Sequence, residues 1–114
     1  METARATKEE FYIVLVTCPE KEAAGLAQTL VQEGLVACVN IVPSVTSVYK
    51  WKGEVVKDQE NLLVMKTLDS FYDRLEARIK ELHSYEVPEV LAISVKDGSS
   101  AYLDWLSGSL LKQS

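Results

Sequence analysis

His83 is the single histidine in a chain of 114 residues. It stands where an amphipathic stretch ends, a place where an imidazole can favour a helix C-terminus, carry a proton or ligate a metal ion. One imidazole does not make a metal centre. A transition ion takes three or four donors of matched softness, so the others must come from Cys18, from a carboxylate such as Glu60 or Glu89, or from a second subunit. No His-x3-His or Cys-x2-Cys spacing supplies them. Cys18 directly precedes Pro19 at an expected helix N-terminus, where the dipole can lower a thiol pKa, whereas the apolar run before it favours a packed core thiol. Cys38 lies mid-strand and reads as packing. Glu60, Lys66, Tyr85 and Glu89 form a polar set at the ends of apolar segments; they are either solvated rims and ion pairs or groups for acid-base work. No nucleophile has an adjacent base, so an enzyme is not expected. Tyr49 and Trp51, two residues apart, share one side of a strand and read as interface residues.

The whole-chain numbers narrow the partners. Twelve Lys and Arg against seventeen Asp and Glu leave a net charge of −5, which repels nucleic acid and anionic membrane surfaces. A hydrophobic share of 47% is that of a globular domain. Two cysteines in apolar runs and no segment apolar enough for a signal core or a bilayer span point to a cytoplasmic protein. A single domain is expected over residues 10–114, behind a disordered tail at 1–9, with Lys112–Ser114 frayed.

The elements that must position these groups follow from periodicity. Phe11–Val16 is an apolar, β-rich run that predicts a central strand buried on both faces. Pro19 opens a helix at its first position, Ala23, Ala27, Leu30 and Val31 form the stripe, and Gly34 ends it. From Leu35 the period changes to two, Pro43 marks a bulge or bend, and β-rich residues continue to Trp51. Lys52-Gly53 turns the chain into a strand from Glu54 to Thr67. Asp69 or Thr67 caps a helix with Phe71, Leu75, Ile79 and Leu82 inward, ending near His83. Val87, Leu91, Ile93 and Val95 alternate as a strand, and Ser100 caps a last helix through Leu103, Leu106 and Leu110.

The order β-α-β-β-α-β plus an extra C-terminal helix is an α+β, ferredoxin-like sandwich with both main helices on one face of an antiparallel sheet. The hairpin arm from Leu35 to Trp51 reaches roughly 50 Å extended, whereas the first helix covers about 21 Å. Its overhang carries Val45, Val48, Tyr49, Trp51, Val55 and Val56, too apolar for a free strand edge. An oligomer built by hairpin contacts is expected.

Val16-Thr17-Cys18-Pro19, Ala37-Cys38-Val39-Asn40-Ile41, Ser47-Val48-Tyr49-Lys50-Trp51-Lys52-Gly53, Met65-Lys66-Thr67 and His83-Ser84-Tyr85-Glu86-Val87-Pro88-Glu89 together resemble the CutA divalent-cation tolerance family. The resemblance covers almost the whole domain. It implies a homotrimer with strands paired around a three-fold axis, an inter-subunit cleft holding Glu60, Lys66, Tyr85 and Glu89, and Tyr49 and Trp51 at the trimer interface. It also implies a non-catalytic protein that binds copper or another divalent metal ion, with His83 and, in second place, Cys18 as ligands. Copper-binding members carry a cysteine where this chain has Val16 and a histidine where it has Leu82. A PII-like trimeric small-molecule sensor, or a scaffold trimer without ligand, is the alternative expectation.

Overall fold

The computed structural model describes residues 9–111, so residues 1–8 of the expected tail at 1–9 and the frayed end at 112–114 lie outside the described residues. Glu9, at the inner edge of that tail, accepts a hydrogen bond from Ser70 Oγ at 3.0 Å. The elements are β1 (Phe11–Cys18), α1 (Glu20–Gln32), β2 (Cys38–Trp51), β3 (Glu54–Leu68), a 3₁₀ turn at Asp69–Phe71, α2 (Tyr72–Leu82), β4 (Val90–Ser94) and α3 (Ser100–Leu111). The strands form one antiparallel sheet in the order β2-β3-β1-β4, the ferredoxin-like order expected.

Strand register decides which face each side chain joins. Val14 pairs with Met65 and Val16 with Leu63, and these meet Ala23, Leu26 and Leu30 of α1 and Leu75 and Ile79 of α2 in the main core. The opposite face is not buried in the single chain, which corrects the expectation for β1. Ile13 and Leu15 are only half-buried, and their β4 partners Ile93 and Leu91 are 50% and 56% exposed. Only one end of that face is covered, where Leu103, Leu106 and Leu110 of α3 pack on Phe11 and Leu68.

Several local expectations change for identifiable reasons. Pro19 sits at the cap of α1 rather than inside it. The buried stripe uses Leu26 in place of Val31, which is 41% exposed. The helix ends as a Schellman motif, with Gly34 N–H donating to Val31 O and Leu35 N–H to Leu30 O at 3.0 and 3.1 Å, and Gly34 takes φ 73°. That motif places Leu35 and Val36 in the core, so β2 starts at Cys38. Neither Thr67 nor Asp69 caps a helix. Thr67 Oγ1 donates to Leu35 O at 2.8 Å, and Asp69 Oδ1 accepts from Glu10 N–H at 3.2 Å. Ser99, not Ser100, caps α3, its Oγ accepting from Tyr102 N–H at 3.3 Å. Leu82 is 37% exposed, and His83 turns inward in its place.

The hairpin is long, as expected, and the molecule measures 53 × 27 × 22 Å. Trp51 pairs with Glu54 across Lys52 and Gly53, whose φ values of 53° and 82° make a two-residue turn with both central residues left-handed. A bulge between Val42 and Val45, with Ser44 at φ 62°, takes up the bend that Pro43 signals.

Candidate functional site

The face left open by α1 and α2 continues onto the hairpin and becomes concave where the loop after α2 crosses it. Along β3, Asp58, Glu60 and Leu62 share this face, and the paired β2 residues Ser47 and Val45 share it with Tyr49 and Trp51. His83 caps α2 in an extended conformation, φ −76° and ψ 143°, so the chain leaves the helix and runs through Tyr85, Val87 and Glu89 into β4. The result is a groove of about 620 Å³ lined by Thr17, Ser47, Val48, Tyr49, Trp51, Asp58, Glu60, Tyr85, Val87 and Glu89.

His83 fastens two walls of this groove. Its ring is buried, at 7% exposure. Nδ1 accepts the Tyr85 backbone N–H at 3.1 Å, which leaves Nε2 to carry the proton and donate to Thr17 O at 2.7 Å. The ring also lies against Tyr85, with centroids 4.7 Å apart. As a metal ligand His83 would first have to give up one of these bonds.

Cys18 also differs from its expected electronic state. It is fully buried in the main core, and its thiol is pushed up to about 11, first by burial and then by the Glu22 and Glu60 carboxylates. The helix dipole does not overcome this desolvation. Glu22, in the first turn of α1, holds Oε1 buried without a hydrogen-bond partner. Both cysteines are free thiols. Among the described residues no three His, Cys, Asp or Glu side chains gather closely enough to hold a metal ion.

Of the polar set read from the sequence, Glu60, Tyr85 and Glu89 meet in the groove and Lys66 does not. Lys66 lies six residues further along β3, roughly 20 Å away, where Nζ donates to Asn40 Oδ1 and to Cys38 Sγ, the latter at 3.3 Å. Within one chain it cannot join the others. Glu60 is 5% exposed and accepts from Tyr85 Oη at 2.8 Å. Tyr49 Oη donates in the same way to Asp58 Oδ2. Burial, and then the bond to Glu60, push the Tyr85 phenol above its usual range. The bond to Asp58 leads the causes that push Tyr49 upward. Both phenols therefore stay protonated donors, and the groove lining holds three carboxyl side chains and no Lys or Arg. Tyr49 and Trp51 are 41% and 54% exposed in the single chain. Asp58 is a groove residue that the sequence reading missed. Counting back from the two-residue turn gives its register opposite Ser47 and beside Tyr49.

Comparison with known proteins gives a consistent result. The family model described as CutA1 divalent ion tolerance protein matches residues 12–109. The divalent-cation tolerance protein CutA of Thermus thermophilus is 52% identical over 95 residues, covering 82% of this chain and 92% of that protein. The chloroplastic protein CutA 1 of Oryza sativa subsp. japonica is 49% identical over 98 residues, covering 85% of this chain and 55% of that longer protein, so the chain spans about half its length. The solved structure of the PII-like protein CutA from Nostoc sp. PCC 7120 in apo form superposes with a TM-score of 0.82 at 40% identity, covering 87% of this chain and 96% of that one.

Proposed function

The chain belongs to the CutA1 divalent ion tolerance family, and from that membership we propose that it is a non-catalytic homotrimer that binds a divalent cation, copper among the candidates, in the acidic groove at the base of its hairpin. The observation that carries this reading is the groove lining itself: Asp58, Glu60 and Glu89 converge on a concavity without a basic side chain. The described residues of one subunit do not close a coordination sphere, so the remaining donors come from a neighbour. The trimer is supported by the uncovered sheet face at Leu91 and Ile93 and by the 53 Å length of a molecule only 27 × 22 Å in its other dimensions. We assign His83 a positioning role, because both ring nitrogens are occupied by backbone groups that line the groove. The cytoplasm is the proposed compartment; no helix of the described residues is long and apolar enough to cross a membrane.

A PII-like reading, in which the groove takes a small organic molecule, is favoured by one observation. A volume of about 620 Å³ is far more than a single ion and its ligands fill, and lies within the range of small-molecule sites.

Calorimetric titration of the metal-free protein with Cu(II), Ca(II) and Mg(II), beside the Glu60→Gln and Glu89→Gln proteins, tests the cation site. Binding with at most one ion per subunit that weakens in both variants is expected. Binding unchanged in both, or lost only in Cys18→Ser, moves the site out of the groove.

A further inference from the structure

Cys38 and Lys66 lie outside the groove. They stand directly opposite each other on β2 and β3, and Lys66 Nζ reaches Cys38 Sγ at 3.3 Å. The same Nζ donates to Asn40 Oδ1, two residues along β2 on the same face, so two bonds hold the amine against the sulfur. Tyr102 of α3 also hydrogen-bonds to this thiol. All of these contacts are made within one chain, and Cys38 and Lys66 are both half-buried in it. None of them depends on the open sheet face being free of a neighbour.

These surroundings decide what an oxidised Cys38 can react with. A sulfenic acid is relieved by a second thiol or by a nitrogen nucleophile. The other cysteine of the chain, Cys18, pairs with Asn61. It lies on β1 well beyond Ile13, the residue that pairs with Lys66, at a distance of roughly 17 Å along the strand. Cys18 is also buried in the main core, so the chain offers Cys38 no resolving thiol. The amine of Lys66 is already in contact with the sulfur.

We propose that Cys38 and Lys66 form an oxidative cross-link, a sulfenamide between Sγ and Nζ, when a hydroperoxide reaches the thiol. In the first step the peroxide O–O bond breaks and sulfur is oxidised by two electrons. One oxygen stays as the S–OH group, and the other leaves as water when the oxidant is hydrogen peroxide. In the second step Nζ attacks sulfur, the N–S bond forms and the S–O bond breaks. The hydroxyl leaves as water with one proton of the Lys66 ammonium, and a second proton passes to solvent. Thiol, ammonium and one hydrogen peroxide thus give the cross-link, two waters and one proton. The link ties β2 to β3 beside α3 and removes the charge of Lys66, and an added thiol reverses it. Cys38 is thereby a modification site whose product Lys66 selects, whatever the groove binds.

The test treats the full chain, in its native assembly, with hydrogen peroxide at pH 8 and reads intact and peptide masses. A chain about 2 Da lighter is expected, restored by dithiothreitol, with a linked peptide that joins Cys38 to Lys66 and resists trypsin at Lys66. Lys66→Arg keeps the charge and the donors but has no primary amine. It should lose the cross-link and carry instead products about 16 and 32 Da heavier at Cys38, the latter at least about tenfold more abundant than in the parent. Lys66→Met should do the same, and Cys38→Ser should show neither product. None of these changes removes a fully buried residue, and the assembly mass of each variant is compared with that of the parent. Heavier products in the parent at the level of Lys66→Arg would overturn the inference. So would a Cys38–Cys38 disulfide between chains in place of the link. A Cys38 that stays unmodified in the native protein, under peroxide that oxidises it in the denatured one, would overturn it too.

Discussion

Replacing His83 by Phe keeps a buried ring of similar size and removes both of its hydrogen bonds. The Thr17 carbonyl loses a donor at 2.7 Å and the Tyr85 amide loses an acceptor at 3.1 Å. A net bond contributes about 0.5–1.5 kcal/mol, and a polar group left unsatisfied on burial costs about 1–3 kcal/mol. The Thr17 site is buried and lies at the upper part of that range; the Tyr85 amide is only part-buried and can recruit water. The sum predicts a loss of about 2–4 kcal/mol for the folded state. Denaturant unfolding at matched protein concentration measures it, since oligomer stability depends on concentration. His83→Gln, which retains one donor and one acceptor on a flexible chain, should recover part of the loss. Hydrogen exchange supplies the local readout. The amides of residues 85–89 should exchange faster in His83→Phe, while those of β1 and β3 keep their order of protection. A fastening role for His83 is refuted if His83→Phe loses less than about 0.5 kcal/mol with unchanged exchange in the loop. It is also refuted if stability is retained while metal binding disappears, because His83 would then be a ligand rather than a fastener.

Four further outcomes follow from particular residues. Cys18, fully buried and with its thiol pushed up to about 11, should be alkylated at pH 8 at least about a hundredfold more slowly than Cys38; similar rates, read by mass spectrometry of the labelled peptides, would contradict its placement. The same raised value stabilises the fold below the ordinary thiol value of 9.0 and loses that contribution as pH rises through about 11, so Cys18→Ser should flatten the fall of stability over that window. Gly53→Ala should cost about 1 kcal/mol in denaturant unfolding, wholly from the backbone, because Gly53 has φ +82° with no heavy atom within 4 Å of an added Cβ; Gly53→Asn should cost less. Ile93→Glu should be nearly neutral in a free subunit, where Ile93 is 50% exposed, and should break an assembly that covers it, an outcome light scattering reads directly.

The fold was legible because its signals are local. Gly34, the Lys52-Gly53 pair and the alternation along β2 and β3 each specify a backbone event through the nearest few residues, and all three events are present. The α1 stripe was less certain for a physical reason: Ala23, Leu26, Ala27, Leu30 and Val31 give apolar residues around more than one helix face, and only the sheet decides that Leu26 is buried and Val31 is not. The site was legible only in part. Glu60, Tyr85 and Glu89 stood out by type, but Asp58 joins them through hairpin register, and Tyr85 through a loop whose course depends on His83 binding a carbonyl of β1, 66 residues earlier. Periodicity does not encode a bond between an imidazole and a distant strand. The thiol of Cys18 shows the same limit, since a helix N-terminus favours thiolate and only the packed surroundings reveal that burial prevails.

Native mass spectrometry of protein purified without chelator tests the central claim most directly, because one spectrum reads subunit count and retained mass together. The expected spectrum is a trimer of the 12.7 kDa chain carrying cations at no more than one per subunit, whose retained mass is lost in Glu60→Gln while the trimer persists. A monomer or dimer, or a trimer whose retained mass is indifferent to Glu60, would contradict it.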